Sequence, residues 1–118
     1  MQTLKDLNDL RLYLITDRSL FKDQKYFLTA VEAALIGGVK ALQLREKDLP
    51  DSKLIKLGMQ LRILTSNYKA KLIINSRADI AEKIGADGVH LTEPSIQANE
   101  VKSRFPDLIV GVSTHSLE

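Results

Sequence analysis

At 118 residues, with 44% hydrophobic and 27% charged residues, the chain has the size and balance of one ordinary domain. A formal net charge of +2, with basic and acidic residues interleaved, excludes a surface built for nucleic acid or an anionic membrane. Cysteine is absent, which rules out disulfides and thiolate metal sites, and no apolar run nears the roughly 20 residues of a membrane span.

The first residues, Met1-Gln2-Thr3-Leu4-Lys5-Asp6, hold no apolar signal-peptide core, so a cytoplasmic location is the expectation. Residues 12–16 are a short apolar run ending at the polar turn Asp17-Arg18-Ser19, which predicts a buried strand. Phe27, Val31, Ala34 and Leu35 recur at helical spacing, and Gly37-Gly38 supplies the stop. A second strand follows through residues 41–45. Pro50-Asp51-Ser52 opens a second helix carrying Leu54, Leu57, Leu61 and Leu64, a core stripe covering too few heptads for a zipper.

Residues 71–75 read as a third strand and residues 78–84 as a short helix. Gly85-Ala86-Asp87-Gly88 then turns into a strand at Val89-His90-Leu91. Ser95 is placed to cap a helix holding Val101 and Phe105, Pro106-Asp107 breaks it, and residues 108–113 form a fifth strand. The order is β-α-β-α-β-α-β-α-β, which implies a parallel sheet with right-handed crossovers.

The second strand carries the densest chemistry. Alternation puts Leu42 and Leu44 on one side and Ala41, Gln43 and Arg45 on the other, with Lys47 just beyond. An amide, a planar guanidinium and a mobile ammonium at one strand end suit an anion. The plainer reading is a solvated strand end whose charges pair with Glu46 and Asp48. By the same parity His90 shares a face with Gly88, where a hydrogen-bonded structural histidine is the more economical reading.

Two architectures fit the alternating order: an open doubly wound sheet, or part of an eight-stranded barrel. The first strand-to-helix turn, Thr16-Asp17-Arg18-Ser19-Leu20-Phe21, lacks a glycine-rich phosphate fingerprint, which removes the best support for a dinucleotide fold. Gln43, Arg45, Asn75, His90, Ser113 and His115 are spread over several strand ends, as at the C-terminal face of a barrel.

Five stretches, taken in order, resemble the thiamine-phosphate synthase/TenI family: Tyr13-Leu14-Ile15-Thr16-Asp17, Gln43-Leu44-Arg45-Glu46-Lys47, Ile74-Asn75, the run from Gly85 to Leu91, and Gly111-Val112-Ser113-Thr114-His115-Ser116. The resemblance implies an α/β chain forming part of a (β/α)₈ TIM barrel, about five strands and four helices. Residues 1–118 are then the N-terminal part of a single barrel domain, with truncation the expectation and self-association through the open edges. It also implies small-molecule thiazole or pyrimidine phosphates as ligands, with no nucleic-acid or membrane partner. Gln43, Arg45 and Lys47 match residues that hold a pyrimidine diphosphate in the family's synthases, Asn75 another contact to it, and Ser113 the diphosphate region. His115 matches the acid/base histidine of the family's tautomerases; taken alone, it is an exposed histidine near a chain end.

Synthases of the family join the pyrimidine diphosphate to a thiazole phosphate and release pyrophosphate with Mg²⁺. This chain has Ser76 where they place one Mg²⁺-binding aspartate, and Thr92-Glu93-Pro94-Ser95 where the second belongs. The main expectation is therefore a TenI-like protein acting on a thiazole phosphate by proton transfer, with no metal site and no cofactor. The alternatives are a synthase, which would use Mg²⁺, or a family member that binds ligand without turnover.

Overall fold

The computed structural model describes residues 13–16, 23–46, 48–91 and 95–112, and only the backbone of 95–98 and 112. The strands are β1 (Tyr13–Ile15), β2 (Ala41–Leu44), β3 (Lys71–Asn75), β4 (Gly88–Leu91) and β5 (Ile109–Val112). The helices between them are α1 (Gln24–Ile36), α2 (Asp51–Asn67), α3 (Ala78–Ile84) and α4 (Ser95–Arg104). All neighbouring strands are parallel, in the order β1-β2-β3-β4-β5.

Local signals set the helix ends. The Asp23 carboxylate caps α1 by accepting the Tyr26 N–H at 3.1 Å, satisfying one of the orphan donors of the first turn. Pro50, with φ at −60°, sets up the first turn of α2. Gly85 ends α3 in the left-handed region at φ 73°, where a side chain would be strained.

Register decides which face each side chain takes. Leu14, Leu42 and Leu72 are aligned across β1, β2 and β3, and Ile74, Val89 and Val110 across β3, β4 and β5. This face packs under the helices, where Phe27, Val31 and Leu35 of α1, Leu54, Leu57 and Leu61 of α2, and Ile80 and Ala81 of α3 are buried. Each such leucine or phenylalanine contributes roughly 1.5–3 kcal/mol by leaving water. Leu64, expected in the same stripe, is only partly buried at its edge.

The opposite face carries Ile15, Gln43, Ile73, Gly88 and Ile109, and Ile15 and Ile109 remain 46% and 51% exposed. An open doubly wound sheet needs helices on both faces and places its first strand inside the sheet. A sequential sheet with its helical core on one face is instead part of a barrel, as the resemblance implied.

Asp87, at the N-terminal edge of β4, ties the bottom of the sheet together. Its carboxylate accepts the Leu72 N–H at 2.8 Å and the Arg62 guanidinium at 2.8 Å, while its backbone carbonyl accepts the Ile109 N–H at 3.0 Å. Gly88 beside it is required by close approach. A Cβ there would meet the Ile109 carbonyl oxygen at 2.5 Å, well inside contact distance.

Candidate functional site

The C-terminal ends of β2 and β3 bring three of the expected residues to one place. Gln43 lies within β2, Arg45 one residue past its end, and Asn75 closes β3. The pairs Gln43↔Ile73, Asn75↔His90 and His90↔Gly111 put these side chains on the face away from the helices. Lys47, Ser113 and His115 lie outside the described residues.

Four side chains form a continuous hydrogen-bonded chain across β1, β2 and β3. The Ser76 hydroxyl donates to Asn75 Oδ1 at 3.1 Å, Asn75 Nδ2 donates to Gln43 Oε1 at 2.8 Å, and Gln43 Nε2 donates to the Tyr13 hydroxyl oxygen. Gln43 is only 2% exposed and Asn75 9%, so their amides need these partners, an unpaired buried amide being costly. Tyr13 had no role in the sequence reading. The available signal was parity, since Tyr13 is aligned with Ala41 and so shares the face of Gln43.

A second link sits on the helix-facing side. The buried Thr16 hydroxyl donates to the buried Glu46 carboxylate at 2.8 Å and accepts the Arg45 N–H at 3.1 Å, while the Thr16 N–H donates to the Gln43 carbonyl at 2.9 Å. Glu46 thus helps fix the backbone that carries Arg45. The Arg45 side chain is exposed and has no carboxylate within salt-bridge distance among the described residues.

His90 lies on the interior-facing side, its ring over Gly111, where an added Cβ would stand 3.1 Å from Nδ1. Burial first, and then the positive charge of Arg45, holds its pKa below the ordinary 6.5, which favours the neutral imidazole. Ser76 has φ 67°, unusual for a residue with a side chain, and its N–H donates to the His90 carbonyl at 2.8 Å. Two cavities open around it. One of about 220 Å³ reaches Glu46, Asn75 and Arg77, and one of about 410 Å³ lies toward α4 with Asp79, Arg104 and Phe105. Ser76 lines both cavities and Asn75 the smaller one, whereas Tyr13 and Gln43 line neither.

The donors at the end of β3 do not fit a resident Mg²⁺. A hard divalent cation takes oxygen ligands, commonly carboxylates, whereas Asn75 and Ser76 are neutral and already bonded to each other. Asp51 and Asp79 are engaged by Arg77 at 2.6 and 3.1 Å, and among the described residues no group of three His, Cys, Asp or Glu could hold a metal ion. Glu93 and the Ser95 side chain lie outside the described residues. Among those residues, too, no helix is long and apolar enough to cross a membrane.

The family model described as thiamine monophosphate synthase matches residues 12–118. The chain belongs to that family. A protein of Aquifex aeolicus provisionally named thiamine-phosphate synthase 2 is 52% identical over 108 residues, covering 92% of this chain and 57% of the relative. The thiamine-phosphate synthase of Clostridium acetobutylicum is 42% identical over 113 residues, covering 93% of this chain and 52% of that protein. The solved thiamine phosphate pyrophosphorylase of Pyrococcus furiosus superposes with a TM-score of 0.81 at 39% identity, over 93% of this chain and 52% of its own. The chain thus spans about half the length of the family members it matches. Their names favour the synthase alternative over the TenI-specific expectation drawn from the sequence.

Proposed function

We propose that the protein containing this chain is a thiamine-phosphate synthase, joining a pyrimidine diphosphate to a thiazole phosphate with release of pyrophosphate. The observation that carries the reading is the site at the ends of β2 and β3, where the Gln43–Asn75 amide pair lies buried beside the exposed Arg45 guanidinium, in a chain whose relatives bear synthase names. In this reading the buried amides hold the pyrimidine and Arg45 the diphosphate, assisted by Lys47 and Ser113. The chain supplies the first five strands of a larger barrel domain. Self-association is a proposal too, supported by the exposed Ile15 and Ile109 on the sheet face opposite the helices; a compact monomer across a wide concentration range in sedimentation overturns it.

One observation favours a second reading. Ser76 offers a neutral hydroxyl at the end of β3, and charge developing on a departing pyrophosphate needs cations in the transition state. A TenI-like tautomerase moves a proton on the thiazole ring and needs only an acid/base group, the role proposed for His115. Purified whole protein assayed for thiamin phosphate formation, with Mg²⁺ and with EDTA, and in parallel for thiazole tautomerisation, separates the two. Thiamin phosphate formation supports the synthase, and tautomerisation alone the second reading. Ligand binding seen by calorimetry without either product points to a family member that has lost turnover.

A further inference from the structure

The connection from β2 to α2 is anchored at both of its ends. At the near end the Thr16 hydroxyl accepts the Arg45 N–H at 3.1 Å and donates to Glu46 at 2.8 Å. At the far end Arg77, in the turn between β3 and α3, closes two forks at once. Its Nη1 and Nη2 donate to the two carboxylate oxygens of Asp51 at 2.6 and 3.0 Å. Its Nε and Nη2 donate to those of Asp79 at 3.3 and 3.1 Å. Beneath the connection lies open space: the cavity of about 220 Å³ is bounded by its Glu46 and Leu49, by Leu54 of α2, and by Ser76 and Arg77.

Helix stability does not account for Arg77. It stands just before α3, and Asp51 opens α2, where a helix N-terminus favours carboxylates and disfavours a cation. Ion pairs as open as these, with the Asp51 and Asp79 side chains 63% and 64% exposed, also add little to stability. What the guanidinium supplies is geometry, since its planar fork fixes a carboxylate in distance and in plane. It ties the far end of the connection to the turn that follows Asn75 and Ser76.

We propose that Arg77 is a positioning residue for anion binding: by forking Asp51 it holds the β2–α2 connection in the arrangement that presents Arg45 to a diphosphate. This deepens the synthase reading and rests on it, because it takes Arg45 as the counter-charge of the diphosphate. Arg77 does not touch the anion in this account, its donors being spent on two carboxylates. Without the Asp51 fork the connection keeps its near anchor at Thr16 but has a cavity to move into. Arg45 then samples more positions, and fixing it against an anion costs more conformational freedom.

The test is calorimetry on the whole protein with inorganic pyrophosphate at fixed ionic strength, reading affinity and stoichiometry separately. Arg77→Gln and Asp51→Asn are each expected to weaken pyrophosphate about three- to tenfold at unchanged stoichiometry. The double variant is expected to bind no more weakly than either single one, since both act through one tie. Asp51→Asn decides between positioning and mere charge. Removing a carboxylate near an anion site tightens binding if only the long-range field matters, and loosens it if the fork matters. Tighter or unchanged binding in Asp51→Asn therefore overturns the proposal. So does a fall in stoichiometry at unchanged affinity, which is what a merely structural role produces, and so do additive losses in the double variant. Should Arg77→Gln fail to fold, Asp51→Asn carries the test alone. If the unsubstituted protein does not bind pyrophosphate, the proposal falls together with the reading of Arg45. Binding by the unsubstituted protein without the expected losses overturns the Arg77 proposal alone.

Discussion

The Thr16 hydroxyl donates to the Glu46 carboxylate at 2.8 Å, joining the residue after β1 to a residue just beyond β2 on the helix side of the sheet. The same hydroxyl accepts the Arg45 N–H, so one small side chain sets the backbone from which the guanidinium leaves. Thr16→Val keeps the shape and removes both bonds. It is expected to cost about 1–3 kcal/mol, the penalty for depriving buried polar groups of a partner. Urea denaturation measures it, and a change under about 0.5 kcal/mol, the range of ordinary surface substitutions, contradicts the assignment.

Asp87 gives the sheet an acid-sensitive joint. Burial opposes its ionised form, but the Leu72 N–H and the Arg62 guanidinium prevail and leave its pKa lowered from 3.8. A carboxyl depressed in the folded state binds fewer protons there than in the unfolded chain. Its contribution is therefore complete above the unfolded value and is lost as pH falls through the folded one. Asp87→Asn is expected to flatten this acid limb in stability-versus-pH curves. Asp87→Ala, which leaves the N–H of buried Leu72 without its acceptor, is expected to cost about 1–3 kcal/mol at neutral pH.

The depressed pKa of His90 has two causes that can be separated. Arg45→Gln removes the charge and leaves the burial, so the histidine is expected to titrate higher than in the unsubstituted protein but still below 6.5. An NMR titration of the imidazole reads this directly, and an unmoved midpoint contradicts it. A base depressed on folding takes up fewer protons than the unfolded chain. Stability from this group is therefore full above about 6.5 and is lost as pH falls through the folded value.

Gly88 has little room for a side chain. In Gly88→Ala the new methyl would press on the Ile109 backbone carbonyl, which cannot swing aside as a side chain can. An overpacking cost of about 1–3 kcal/mol is expected, with β4 and β5 spreading apart. Thermal denaturation and amide exchange at Ile109 check it, and unchanged protection there contradicts it.

The fold was legible because its signals are periodic. The spacing of Leu54, Leu57 and Leu61, the glycines after Ile36, and the apolar alternation through Leu42 and Leu44 each point to one element and one face. The site was legible only in part. Parity put Gln43 and Arg45 together and set His90 on the same face as Gly88. It could not reveal that Gln43 is covered, because burial depends on Tyr13 and Asn75 reaching in from two other strands. Asp87 read as a turn residue, since aspartate between glycines is ordinary turn chemistry and its acceptor role depends on where Leu72 and Arg62 arrive.

The sequential strand order bears on how the chain finds its fold. Among the described strands each pairs with the next one made. The enclosed lengths still differ: the Leu72–Asp87 bond closes a separation of 15 residues, whereas Thr16–Glu46 closes 30 and Asn75–Gln43 closes 32. Closing a shorter loop forfeits less chain entropy and comes sooner. The β3-α3-β4 unit is therefore expected to form ahead of β1, with Ile80→Val slowing refolding more than Leu14→Ala does for the same loss of stability. The buried amide chain, which waits for β1, is then completed late, after the scaffold beneath it is in place.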